Sequence, residues 1–86
     1  MNIKFKKSFE KQYEKLSKLQ KEKVDTALTL FIDDYNNPIL KNHELQGKLK
    51  GKRSISAAHD LRLIFSEENN YLIVNFLATG SHNQVY

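Results

Sequence analysis

Three stretches decide how this chain folds: Arg53-Ser54-Ile55-Ser56-Ala57-Ala58-His59, Leu61-Arg62-Leu63-Ile64-Phe65-Ser66 and Tyr71-Leu72-Ile73-Val74-Asn75-Phe76-Leu77-Ala78-Thr79. Ile55 and Ala57 alternate in the first, and Leu61, Leu63 and Phe65 in the second. That is the period of two expected of strands that bury one face. The third stretch is apolar on both faces, which suits a strand in the middle of a sheet with helices on at least one side. Glu67-Glu68-Asn69-Asn70 supplies a polar turn before it, and His59-Asp60 fits a turn between the first two.

Upstream the periodicity changes. Ile3 and Phe5 alternate with polar neighbours and predict a short first strand. Phe9, Tyr13, Leu16 and Leu19 recur at helical spacing, predicting a helix over Phe9–Lys18 with Ser8 as its N-cap and Glu10 in its first turn. Val24, Leu28, Phe31 and Tyr35 predict a longer helix from Gln20 to Tyr35, ended by Asn36-Asn37-Pro38 because proline disfavours helical geometry just before it. So short a connection predicts an antiparallel helical hairpin. Gly47 and Gly51 bracket Lys48-Leu49-Lys50, read as a basic loop or short strand. The order β-α-α-β-β-β predicts one α+β domain over residues 1–86, with an N-terminal strand and helical hairpin packed on a mainly antiparallel four-stranded sheet.

Composition narrows the function classes. The 86 residues include no cysteine, which excludes a disulfide scaffold or thiolate metal site and suits a reducing compartment. The N-terminus has no apolar run of the signal-peptide kind, and the longest apolar runs fall far short of the roughly 20 residues of a membrane helix. A soluble cytoplasmic protein is expected. The formal net charge is +4, and its distribution is uneven. Lys41, Lys48, Lys50, Lys52, Arg53 and Arg62 face only Glu44 and Asp60 across the window from Lys41 to Arg62. Such a band suits a polyanion such as nucleic acid or an acidic protein partner, as well as a plain solvated surface. The stripe Lys7, Lys11, Lys15 and Lys18 also fits either reading.

Chemistry-bearing residues gather in the C-terminal half. His43, His59 and His82 lie 16 and 23 residues apart, without a metal-binding spacing, so no metal or cofactor is expected. No glycine-rich phosphate loop or nucleophile elbow is present. Acid, base and cation chemistry remain. Metal-free RNA cleavage needs a base for the ribose 2′-hydroxyl, an acid for the departing 5′-oxygen and a cation for the phosphate. Histidine suits the first two near neutral pH and arginine the third. Tyr86 could stack on an unpaired base. Each residue also has a plainer reading: His43 as a solvated loop residue, Asp60 as a turn residue, Arg62 as a structural ion-pair partner of Asp60 or Glu67, and the tail as a frayed end.

Taken in order, Lys7–Lys11 (Lys-Ser-Phe-Glu-Lys), Asn42-His43-Glu44-Leu45-Gln46-Gly47, Leu49-Lys50-Gly51-Lys52-Arg53, Asp60-Leu61-Arg62-Leu63-Ile64-Phe65 and Ala78-Thr79-Gly80-Ser81-His82-Asn83-Gln84-Val85-Tyr86 resemble the RelE/ParE toxin superfamily, within it the YafQ-like mRNA interferases. The resemblance spans essentially the whole chain. It implies a toxin of a type II toxin–antitoxin module, an endoribonuclease cutting mRNA in the ribosomal A site without a metal, neutralised by an acidic cognate antitoxin. By position it assigns catalytic roles to His43, Asp60, His82 and Tyr86, with phosphate stabilisation at Arg62; the basic band adds expected RNA contacts at Lys48, Lys50, Lys52 and Arg53. A histidine of the YafQ-like pattern is replaced by Ser56, which cannot serve as a base near neutral pH; His59 could substitute only if its turn aims it into the same cleft. The same superfamily offers a ParE-like gyrase poison, or a catalytically weak homologue that only binds its antitoxin, as alternatives.

Overall fold

The structure, a computed structural model, describes residues 1–86. Five strands form one sheet in the order β1-β5-β4-β3-β2: β1 (Asn2–Phe5), β2 (His43–Glu44), β3 (Arg53–Ala58), β4 (Leu61–Glu68) and β5 (Ile73–Gly80). Only β1 and β5 run parallel; the other pairs are antiparallel. The apolar third stretch is therefore the second strand in, flanked on both sides, as its two-faced hydrophobicity requires. The sheet has one strand more than the expected four, because the two-residue β2 pairs with the start of β3. Lys48 and its neighbours form a single 3-10 turn, Gly47–Leu49, rather than a strand.

Helices α1 (Lys7–Glu14) and α2 (Lys18–Asp33) begin and end earlier than the apolar spacing predicts. Ser8 does not cap α1. Its hydroxyl donates to the carbonyl of Leu77 on β5 at 2.6 Å. Ser17 does cap α2, in a reciprocal box with Gln20. The two helices fold back on each other, joined by a Tyr13–Asp25 hydrogen bond of 2.8 Å and a Lys21–Glu14 ion pair of 3.6 Å. Their inward faces supply Phe9, Val24, Ala27 and Phe31 to a single core with Ile55, Leu63, Phe65, Val74 and Phe76. Phe31 sits at its centre, edge-on to Phe65 at 5.1 Å and to Phe76 at 5.4 Å, the offset geometry that aromatic quadrupoles favour.

β5 starts at Ile73 and not at Tyr71. Asn69, Asn70 and Tyr71 all have positive φ, so the turn runs two residues further than its polar composition predicts. Tyr71 is held there by its own contacts. Its ring stacks on Tyr35 at 3.7 Å, its N–H donates to Glu67 and its hydroxyl accepts from Asn42.

Candidate active site

Strand register sorts the side chains onto two faces. Ile55 and Leu63 pair across β3 and β4 and point to the helices. Ser54 pairs with Ile64 and with His43, and Ser56 pairs with Arg62, which in turn pairs with Gly80. Since side chains alternate along a strand, His43, Ser54, Ser56 and Arg62 share the face opposite the helices. Arg53 belongs to the helix face; its Nε donates to Asn42 Oδ1 at 2.9 Å.

The chain returns to the site face after β5. Gly80 carries φ +153°, and a Cβ there would lie 2.7 Å from Gln84 Oε1, so only glycine fits this corner. Ser81 then caps a one-turn helix, α3 (His82–Val85), through a reciprocal box with Gln84. Asp60, itself at positive φ, accepts the His82 N–H at 3.0 Å. Tyr86 folds back over the sheet and donates to Ser54 Oγ at 2.7 Å. That contact explains why Ser54 is fully buried on the face opposite α1 and α2. The His82 ring packs edge-on against Tyr86, with centroids 4.4 Å apart.

The tail thereby closes one side of a cleft of about 570 Å³, with His82 and Tyr86 on one wall, His43, Gln46 and Lys48 on the other, and Arg62 between them on the sheet. The rim is exposed at both histidines and half-buried at Arg62. His43 Nδ1 lies 2.8 Å from the Lys41 carbonyl. A carbonyl only accepts, so that nitrogen carries the proton, and in the neutral ring Nε2 keeps its lone pair for another proton. Arg62 Nη1 donates to Ser56 Oγ at 3.2 Å and to the Ala58 carbonyl at 3.1 Å. It is not paired with Asp60 or Glu67, and the only ion pair in the chain is Lys21–Glu14. A cleft holding an imidazole with a free lone pair, a second imidazole and an uncompensated guanidinium can move protons and hold a phosphate together.

Of the residues singled out from sequence, His43, Arg62, His82, Tyr86 and Lys48 line this cleft. Asp60 does not; its carboxylate holds the backbone at the start of α3 and so positions His82. Lys50, Lys52 and Arg53 lie outside it, as does His59, which is exposed in the β3–β4 turn. The imidazole-for-Ser56 substitution by His59 is thus not realised. Sequence reasoning passed over Ser54 and Gln84. The second was detectable, since Ser81-x-x-Gln84 is a capping-box spacing. The first was not, because its partner is 32 residues away.

A family model described as the bacterial toxin of type II toxin–antitoxin systems, YafQ, matches residues 1–86. The chain belongs to the YafQ toxin family. The crystal structure of YafQ from E. coli BL21(DE3) superimposes with a TM-score of 0.83 at 24% identity, covering 99% of this chain and 97% of that one. YafQ in the E. coli DinJ–YafQ toxin–antitoxin complex gives 0.80 at 25%, covering 99% and 96%. A YoeB/ParE toxin from Agrobacterium tumefaciens gives 0.77 at 15%, covering 95% and 99%. The sheet with its N-terminal helices is thus the fold of this toxin class. Among curated proteins no sequence match was found.

Proposed function

We propose that this YafQ-family toxin is a ribosome-dependent endoribonuclease that cleaves mRNA in the A site by attack of a ribose 2′-oxygen on its own 3′-phosphate. The observation that carries the reading is the convergence of His43, Arg62 and His82 on one cleft formed by three separate parts of the chain. His43 Nε2 takes the proton of the 2′-hydroxyl. The freed oxygen attacks phosphorus, and the bond to the 5′-oxygen breaks. His82 in its protonated form delivers a proton to that leaving oxygen, giving a 2′,3′-cyclic phosphate and a 5′-hydroxyl. Arg62, with Lys48 nearby, stabilises the charge that grows on the phosphate oxygens. Tyr86 offers its ring to an unstacked base, and Asp60 holds His82 in place from behind. No metal or cofactor enters the scheme.

In the cell this toxin would be cytoplasmic, where mRNA and ribosomes are. It would be neutralised by a cognate antitoxin of acidic character, complementary to its +4 charge. Expression with primer-extension mapping of a translated message tests the reading. Discrete cuts are expected with the unaltered chain and none with His82→Ala or His43→Ala. Intact message accompanied by growth arrest and DNA damage would replace the nuclease with a gyrase poison; intact message without arrest would leave only an antitoxin-binding homologue.

A further inference from the structure

Ser56 occupies the place where a histidine stands in the resembling pattern, and the simplest account is a lost base. The geometry points elsewhere. We infer that Ser56 is a positioning residue for Arg62, and that together with the bulge beside it this serine fixes the guanidinium for phosphate without neutralising it; the catalytic part of this inference rests on the nuclease reading above.

Three contacts form a closed triangle. Ser56 Oγ donates to the Ala58 carbonyl at 3.1 Å and accepts from Arg62 Nη1 at 3.2 Å, while Nη1 also donates to that same carbonyl at 3.1 Å. The register makes the triangle possible. Ser56 is directly opposite Arg62, but Ala58 is opposite Leu61, so Ala57 is an extra residue in β3. Such a bulge bends its strand locally and re-aims nearby groups. Here it brings the Ala58 carbonyl within reach of both side chains. Nη1 is thereby turned onto these two acceptors. Nε and Nη2, the edge that a phosphate takes bidentately, keep their N–H groups.

The chemical nature of the grip matters as much as its shape. A carboxylate would orient a guanidinium equally well but would cancel its charge and compete with the phosphate. A hydroxyl and a carbonyl are neutral, so Arg62 is ordered while its full charge remains available to the transition state. An imidazole at position 56 would remove the hydroxyl that both donates to Ala58 and accepts from Arg62. When protonated, it would also place a like charge beside the guanidinium. Serine at this position is therefore matched to an arginine opposite.

The test compares Ser56→Ala, Ser56→Thr and Ser56→His in single-turnover cleavage of a message on programmed ribosomes. The Arg62 side-chain N–H signals are followed in parallel by NMR on the 15N-labelled free protein. Ser56→Ala should lower the saturating cleavage rate about ten-fold, as expected for losing a hydrogen bond to a charged group, with a smaller change in the half-saturating concentration. Its Arg62 signals should lose the dispersion of a fixed guanidinium. Ser56→Thr, which keeps the hydroxyl, should retain both rate and dispersion. Ser56→His should be slower than the unaltered chain. A Ser56→His variant that cleaves faster would overturn the inference in favour of a lost base, and unchanged Arg62 signals in Ser56→Ala would overturn it as well. If the unaltered chain fails to cut any message, the nuclease reading falls, and the NMR comparison alone decides whether Ser56 holds Arg62.

Discussion

The Tyr86 hydroxyl and Ser54 Oγ, 2.7 Å apart, tie the end of the chain to the sheet and through it set the ring beside His82. Removing either partner leaves the other without its bond, so the two losses should not add. Tyr86→Phe and Ser54→Ala are each expected to cost about 1 kcal/mol in urea unfolding, with the double variant close to either single one. If the proposed nuclease reading holds, cleavage should fall in all three, because His82 packs edge-on against that ring. A second single-residue effect lies far from the cleft. Tyr13 donates to Asp25 and that bond, more than burial, raises its pKa above the usual value. A raised folded-state pKa favours the protonated form. Its contribution to stability is therefore complete below the unfolded value of about 10 and is lost as pH rises through the folded one. Tm measured from pH 8 to 11 should decline more steeply for the unaltered protein than for Tyr13→Phe, and equal slopes would contradict the assignment.

Between elements, the side chains of α1 do the work of a missing strand. β1 covers β5 only from Ile73 to Phe76, and the remaining length of β5 would lack partners on that edge. Ser8 donates to the Leu77 carbonyl, and Gln12 Oε1 accepts from the buried Thr79 N–H at 2.9 Å. Gln12→Ala leaves that N–H unpaired and should destabilise the fold by about 1–3 kcal/mol, read as a lower urea midpoint. Gln12→Glu, which keeps an acceptor, should recover most of it. The sequence showed much of this architecture: the alternation in β3 and β4, the two-faced hydrophobicity of β5 and the stripe of α2 each follow from which neighbours are buried. The local pattern predicts Ser8 as a cap because it cannot reveal a partner 69 residues away. An aromatic favours strands, which extends the predicted β5 to Tyr71, whereas its positive φ is imposed by Tyr35, Asn42 and Glu67. The site was legible in its residue types but not in their division of labour. Asp60 and Arg53 belong to the expected set, yet one holds backbone and the other points to the helix face.

Across the whole molecule, basic charge and basic function separate. Counting residues along the chain places Lys48, Lys50, Lys52, Arg53 and Arg62 in a single band, but strand alternation and the Gly47–Leu49 turn distribute them over different surfaces. Only Lys48 and Arg62 reach the cleft. If the cleft receives the scissile phosphate, the lysines should differ in kind and not only in degree. Lys48→Ala should reduce the saturating cleavage rate, while Lys50→Ala and Lys52→Ala should leave it near that of the unaltered chain. All three could still weaken association with a polyanion, because long-range attraction depends on total charge. The salt dependence separates the two effects. A lysine that neutralises a phosphate releases counterions, so its removal should reduce the slope of log K against log salt by about 0.7 on single-stranded RNA. A lysine that only adds to the general field should leave the slope nearly unchanged. Binding of a non-cleavable 2′-deoxy oligonucleotide between 50 and 300 mM KCl measures this directly. A smaller slope for Lys48→Ala alone would place the scissile strand along the wall formed by Gln46, Lys48 and His43; equal slopes for all three lysines would return the basic band to a diffuse steering role.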